Sequence, residues 1–257
     1  MSGHLVGHGL TKRYAGLVAN DAIDIEVHPG EIVGLIGPNG AGKTTLFNCV
    51  SGAQRLTEGS IALNGVDLTS MSASARARLG IARTFQQAQL FKHLSVEENL
   101  LLGRHTRYNA GALRGILGLA GTAERAARRV VRSLAEQCGL TPVLDAPVGD
   151  LPYGTQRMVE VARALAVEPQ ILLVDEPAAG MDSIESEYFG RTLRRISRER
   201  AMSVLIIEHD VAMVLTICDR VYVLNFGQLL TSGTPAEIRA DDRVRAAYFG
   251  STLEGAS

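Results

Sequence analysis

Hydrophobic and polar positions follow different periods along this chain, and the changes of period mark its parts. Ile23, Ile25 and Val27 alternate with Asp24 and Glu26, the two-residue repeat of a strand with one face in a core. His28-Pro29-Gly30 closes that strand as a turn. Ile32–Ile36 is apolar throughout, as a strand covered on both faces would be. Gly37-Pro38-Asn39-Gly40-Ala41-Gly42-Lys43-Thr44-Thr45 follows directly, and then a helical stretch that stops near Gly52. Asn64-Gly65, between apolar runs at 61–63 and 66–68, predicts a hairpin. A further strand-like run at 81–85 leads into Gln86.

From 86 to 156 the sequence takes on a helical period, rich in Ala, Leu and Arg. Ser95-Val96-Glu97-Glu98 is a capping box that opens a helix. Residues 124–139 place apolar side chains at three- and four-residue spacing with arginines between, an amphipathic helix; 109–121 reads as a short helix or a loop. Alternation then resumes with helices at 156–166, 184–200 and 211–218 and strands at 171–174, 204–207 and 221–224, ending in the turn Asn225-Phe226-Gly227. Strands alternating with helices predict an α/β fold with a mostly parallel sheet covered on both faces. The expected organisation is one domain, 1–257, with an α/β core from 1–85 and 157–257 and an inserted helical subdomain at 86–156.

Composition narrows the function classes. With 46% hydrophobic residues in 257, the chain has ample material for a core, and 26 Lys plus Arg against 27 Asp plus Glu leave a net charge of -1. So even a balance provides no global field to hold nucleic acid. Arg125, Arg128, Arg129 and Arg132, and again Arg191, Arg194, Arg195, Arg198 and Arg200, read as solvated helix faces. Cys49, Cys138 and Cys218 are few, odd in number and far apart, as expected of reduced thiols in a cytosolic protein. Neither a signal peptide nor a membrane span is predicted, so a membrane role would come through a partner.

Gly37 to Thr44 matches the G-x-x-x-x-G-K-[ST] pattern, and it stands between a buried strand and a helix, where its mechanism needs it. Glycines let backbone N–H groups wrap a polyphosphate, and the helix N-terminus adds positive partial charge. Within that frame Gly37, Asn39, Gly40, Ala41 and Gly42 form the cradle, Lys43 reaches the β- and γ-phosphates, Thr44 ligates Mg²⁺ and Thr45 supports the phosphates. Such a loop needs a carboxylate at the tip of a neighbouring strand. Asp175 supplies it on the Mg²⁺ side, and Glu176 is placed to polarise a water for attack on the γ-phosphorus.

Leu151-Pro152-Tyr153-Gly154-Thr155-Gln156-Arg157, between that loop and that strand tip and followed by Glu160-Val161-Ala162-Arg163-Ala164-Leu165, resembles the signature segment of the ATP-binding cassette (ABC) ATPases. The resemblance runs across nearly the whole chain. It implies a P-loop NTPase (RecA-like) core with an antiparallel β subdomain and an inserted α-helical signature subdomain, with ATP and Mg²⁺ as ligands. It also implies roles for four single residues. Tyr14 stacks on adenine, Gln86, in the frame Arg83-Thr84-Phe85-Gln86, senses the γ-phosphate and joins the Mg²⁺ shell, Asp182 belongs to the loop that faces a second cassette, and His209 is the switch histidine. Taken alone, Tyr14 would pass for a core aromatic, Asp182 for a helix cap and His209 for a structural histidine.

Within the family, the segments Glu176-Pro177-Ala178-Ala179-Gly180-Met181-Asp182, Ile207-Glu208-His209-Asp210, Cys218-Asp219-Arg220, Leu224-Asn225-Phe226-Gly227 and Gly233-Thr234-Pro235-Ala236-Glu237-Ile238 are similar to the longer ATPase of branched-chain amino acid importers. That similarity implies a peripheral subunit on the cytoplasmic face of the cell membrane, joined to two integral membrane permeases and a second ATPase, with a periplasmic binding protein acting indirectly. Pro152, Tyr153, Gly154 and Thr155 would close on the partner's ATP in a head-to-tail dimer. Pro152 stands where a serine is usual and Thr155 where a glutamine is usual, so a looser or slower sandwich is expected. Two alternatives stay open: the similar ATPase of lipopolysaccharide export, and a soluble cassette acting on nucleic acid or ribosomes. A single cassette without a basic surplus argues against the second.

Overall fold

The computed structural model describes residues 3–84, 90–105 and 120–253. An antiparallel sheet is built from β1 (Leu5–Tyr14), β2 (Leu17–Val27), β4 (Glu58–Leu63) and β5 (Val66–Asp67), in the order β2-β1-β4-β5. The larger sheet contains β3 (Ile32–Ile36), β6 (Ile81–Arg83), β7 (Ile171–Asp175), β8 (Ser203–Ile207), β9 (Arg220–Asn225) and β10 (Gln228–Gly233), ordered β10-β9-β3-β8-β7-β6. Its pairings are parallel except for β10, which returns antiparallel from the Asn225-Phe226-Gly227 turn. At Asn64-Gly65 both residues have positive φ, 51° and 78°, which matches the twist a two-residue hairpin requires.

The unbroken apolar strands serve two cores at once. Ile32 and Ile36 of β3, Leu172 and Val174 of β7, and Val204 and Ile206 of β8 point into one cluster. Val33, Leu35, Ile171, Leu173, Leu205 and Ile207 point into the other, because successive side chains leave opposite faces of a strand. The second cluster lies between the two sheets and takes in Leu46, Phe47 and Val50 of helix α1 (Lys43–Ser51). Each fully buried Leu, Ile or Phe contributes about 1.5–3 kcal/mol of transfer free energy, so α1, whose first residues carry the glycine-rich loop, is held by its own buried face.

Helix α2 (Ala73–Arg78) precedes β6, and α3 (Val96–His105), α4 (Ala120–Gln137) and α5 (Tyr153–Leu165) form the helical block. The capping box of α3 is formed, with Ser95 N donating to Glu98 Oε2 at 2.8 Å and Glu98 N to Ser95 Oγ at 3.2 Å. Val96, Leu100, Val131, Leu134, Met158 and Val161 join the same cluster as one face of the large sheet, so the block shares that core. The arginine face of α4 is only partly solvated. Arg128 Nη1 and Arg132 Nε donate to Glu97, a buried carboxylate on α3, at 2.6 and 2.9 Å, because a buried charge is stable only with partners.

Helices α6 (Ser183–Arg200) and α7 (Val211–Ile217) cover the sheet, and α8 (Pro235–Ala240) and α9 (Asp242–Leu253) end the described chain. Two differences from the sequence expectation stand out. Helix α5 begins at Tyr153 instead of Gln156, with Pro152 as its N-cap at φ -53° and ψ 150°, since proline's fixed φ is compatible with the extended backbone of an N-cap. β1, β10, α2, α8 and α9 are further elements beyond those predicted. The stretch at 109–121 lies largely outside the described residues.

Candidate functional site

The loop at 37–45 leaves the C-terminal end of β3 and enters α1, and its backbone is pinned from two sides and by a turn of its own. Asn20 Nδ2 donates to Gly42 O at 3.1 Å, Gly227 N to Ala41 O at 3.1 Å, and Ala41 N to Pro38 O at 3.2 Å. Glycine is required by space as well as by angle. At Gly42, φ is 94° and a Cβ would come within 2.4 Å of Ala19 O; at Gly37 it would come within 2.2 Å of Leu224 O. No acid stands in the first turn of α1, whose free N–H groups carry positive partial charge.

Lys43 is 5% exposed, and its Nζ donates to Gly37 O at 2.6 Å and Pro38 O at 2.9 Å. Burial lowers its pKa, and the nearby Glu176 carboxylate works the other way. Among the described residues no carboxylate lies within ion-pair distance of this ammonium. A buried cation held by carbonyls alone beside a cradle of backbone N–H groups fits a polyphosphate. The Thr44 hydroxyl and the Asp175 carboxylate are the hard oxygen donors that Mg²⁺ takes.

Asp175, 2% exposed at the tip of β7, has its pKa pushed up by burial, with the Arg83 guanidinium opposing. Arg83 Nη2 donates to Asp175 Oδ2 at 2.8 Å, while Nη1 donates to Asn48 Oδ1 at 2.7 Å and Ser51 Oγ at 3.0 Å. One guanidinium thus joins β6, β7 and α1. The next residue, Glu176, has φ 44°, a strained value for a side chain larger than glycine, as functional turns often hold. Its backbone N–H donates to Ile207 O at 3.0 Å, and its Oε1 lies 2.7 Å from His209 Nε2, a separation at which the ring N–H donates to the carboxylate.

A cleft of about 550 Å³ gathers Tyr14, residues 39–45, Glu176, His209 and Phe226. Tyr14 stands at its edge, 39% exposed, with its hydroxyl on Gln54 Oε1 and Lys12 Nζ 4.9 Å from the ring centroid. Pro152, Tyr153, Gly154 and Thr155 do not line this cleft. They sit at the start of α5, where the Tyr153 ring lies against Gly180 and Gly154 against Glu185. Asp182 is the N-cap of α6, and its Oδ1 accepts from Ile184 N and Glu185 N at 2.9 and 2.8 Å. The capping role suggested by its residue type is realised. Gln86 lies outside the described residues.

Asn20, Arg83 and Glu208 were not singled out by the sequence. Glu208 is 3% exposed, and its carboxylate accepts from the backbone N–H groups of Ala178, His209 and Asp210. Its pKa is pushed up by burial, against which those three donors act.

This geometry has known relatives. The family model described as ABC transporter matches residues 20–179. The chain belongs to the ABC transporter family. A second model, described as branched-chain amino acid ATP-binding cassette transporter, matches residues 228–253 of this cassette. The high-affinity branched-chain amino acid transport ATP-binding protein LivG of Escherichia coli is 38% identical to it, over 95% of this chain and 96% of that protein. The corresponding protein BraF of Pseudomonas aeruginosa is also 38% identical, over 94% and 96%. A nucleotide-free cassette from an ABC transporter superposes with a TM-score of 0.82 at 28% identity, covering 96% of this chain and 98% of its own. A cassette in its ADP conformation gives 0.82 at 27%, covering 97% and 100%. The cassette is thus an ATPase module of the transporter type, with a P-loop NTPase fold. Among the described residues, no helix is long and apolar enough to cross a membrane.

Proposed function

We propose that this cassette is the ATP-hydrolysing subunit of an importer for branched-chain or other hydrophobic amino acids, working at the cytoplasmic face of the membrane on two integral permease subunits and paired with a second cassette. The observation that carries the reading is the match of residues 228–253 to the branched-chain cassette model, because the core motifs are shared by cassettes of every cargo. A periplasmic binding protein would deliver the solute to the permeases.

In this reading the N–H groups of residues 39–45 and the Lys43 ammonium hold the β- and γ-phosphates of ATP, and Lys43 exchanges its two carbonyl partners for phosphate oxygens. Tyr14 stacks on adenine. Thr44, Asp175 and Gln86 would hold Mg²⁺, which neutralises phosphate charge. Glu176 takes a proton from water as the water oxygen attacks the γ-phosphorus, the bond to the bridging oxygen breaks, and ADP and phosphate leave. His209 orients Glu176 and contacts the γ-phosphate. Pro152, Tyr153, Gly154 and Thr155 lie away from their own cleft, which suits a head-to-tail dimer in which they cover the partner's ATP and the Asp182 loop faces the partner. ATP binding then favours the closed dimer and hydrolysis the open one, and permeases that prefer one state are driven through a cycle.

Affinity purification of the chain from detergent-solubilised membranes tests the partners. The expected companions are two multispanning permeases and a second cassette, with ATPase activity stimulated by a leucine-loaded binding protein. Lipopolysaccharide-export membrane proteins or ribosomes as the stoichiometric companions would overturn the reading.

A further inference from the structure

Two loops meet behind the cleft. One, residues 176–182 with the first turn of α6 as far as Ser186, carries Glu176 and Asp182; the other, residues 208–210 following Ile207 at the end of β8, carries His209. They are tied at three places. Glu176 N donates to Ile207 O at 3.0 Å, Ala178 N to Glu208 Oε1 at 2.6 Å, and Ser186 Oγ to Asp210 Oδ2 at 3.1 Å. Glu208 has the central part in this arrangement. While Oε1 holds Ala178 on the first loop, Oε2 accepts from His209 N at 2.8 Å and Asp210 N at 3.2 Å on its own loop. Asp210 in turn caps α7 through Met213 N at 3.0 Å. His209 therefore stands between two carboxylates, each anchored to the segment that bears its partner Glu176.

We infer that Glu208 is a positioning residue that sets the His209–Glu176 contact by locking the two loops into one unit, so that movement of the Asp182 loop is carried to the switch histidine. The chemistry calls for a carboxylate at this position. Three backbone N–H groups converge on two oxygens, and a buried donor left without an acceptor costs more than the bond itself contributes. An amide can turn an oxygen to only one end. It keeps the oxygen where two donors wait, at His209 and Asp210, and sets its own NH₂ against Ala178 N–H. Glu208→Gln is thus a nearly isosteric way to release the first loop from the second.

The inference rests on the reading of Glu176 and His209 as a working pair, and its test separates the two. Hydrolysis by the assembled transporter and equilibrium ATP binding are measured for the parent, Glu208→Gln, His209→Ala and the double variant. Glu208→Gln is expected to lower kcat about tenfold with KM for ATP within about twofold of the parent, and to lower it by less than about twofold in the His209→Ala background, because residues acting through one another are not additive. Fully additive losses, or an unchanged kcat, would overturn the positioning role while leaving the His209 assignment standing. Parental activity of His209→Ala would instead remove the pair, and this inference with it. Ser186→Ala, which deletes only the hydroxyl on Asp210, repeats the cycle if Glu208→Gln does not fold. A smaller, equally non-additive loss supports the unit and an additive one contradicts it.

Discussion

His209 and Glu176, 33 positions apart in the chain, meet with the ring Nε2 2.7 Å from the carboxylate Oε1. The bond joins the loop after β8 to the loop after β7, and these parallel neighbours pair as far as Asp175 and Ile207. The contact fixes the direction in which the Glu176 carboxylate points. His209→Ala is therefore expected to slow hydrolysis about a hundredfold, the scale seen when one aligned donor is lost from an active site, with ATP affinity nearly kept. Stopped-time phosphate release alongside equilibrium nucleotide binding checks both halves.

Lys43 separates nucleotide binding from folding. Its pKa is lowered by burial, so below that depressed value the charged form is bound in a place that disfavours it, and stability from this group rises as pH climbs toward the ordinary lysine range. Lys43→Met keeps the stem volume and removes the charge. It is expected to melt no lower than the parent without nucleotide, yet to lose most ATP affinity, as thermal melting with and without MgATP would show.

For Tyr14, the ring and the hydroxyl have different partners, the cleft and Gln54. Tyr14→Ala should cost about 1–3 kcal/mol of ATP affinity, as for other base-stacking aromatics. Tyr14→Phe should cost little. Equal losses in calorimetric titration would assign the work to the hydroxyl.

Pro152 is the N-cap of α5 and offers no side-chain cap. Pro152→Ser adds an oxygen that can accept from the first-turn N–H groups, worth about 1 kcal/mol, and loses the proline's effect on the unfolded chain, about 0.4–1 kcal/mol. The two nearly cancel, so the melting temperature is expected to move little. The same hydroxyl can donate to the partner's γ-phosphate, a charged-group bond of about 1.5–3 kcal/mol. In a Glu176→Gln background the ATP-dependent dimer fraction should rise, as read by light scattering; an unchanged fraction would mean that the serine makes no such contact.

What could be read from the sequence was what lies contiguous in it. The glycine-rich loop is one run of nine residues between an apolar strand and a helix, and the acid pair Asp175-Glu176 ends an apolar run, so pattern and place agreed. The roles of Asn20 and of Arg83, the latter quoted only as part of the frame around Gln86, were not legible because their bonds to Gly42 and Asp175 span 22 and 92 positions, and no local period encodes such a bond. Glu208 was quoted within a motif, but nothing in that motif says that its carboxylate is buried or that Ala178 needs an acceptor. β10 and the two C-terminal helices are short and largely polar on their outer faces, so neither period is sustained long enough to register. The helix start at Tyr153 was missed because a glycine in the first turn looks like loop until the capping geometry is seen.

In the proposed mechanism Glu176 activates water while the phosphate cradle works independently of it. Single-turnover hydrolysis by Glu176→Gln in the assembled transporter, with bound nucleotide measured in the same samples, tests this most directly. ATP should bind with parental affinity and turnover should fall by about 10² to 10⁴, the contribution of a positioned general base. Hydrolysis at the parental rate would contradict the account.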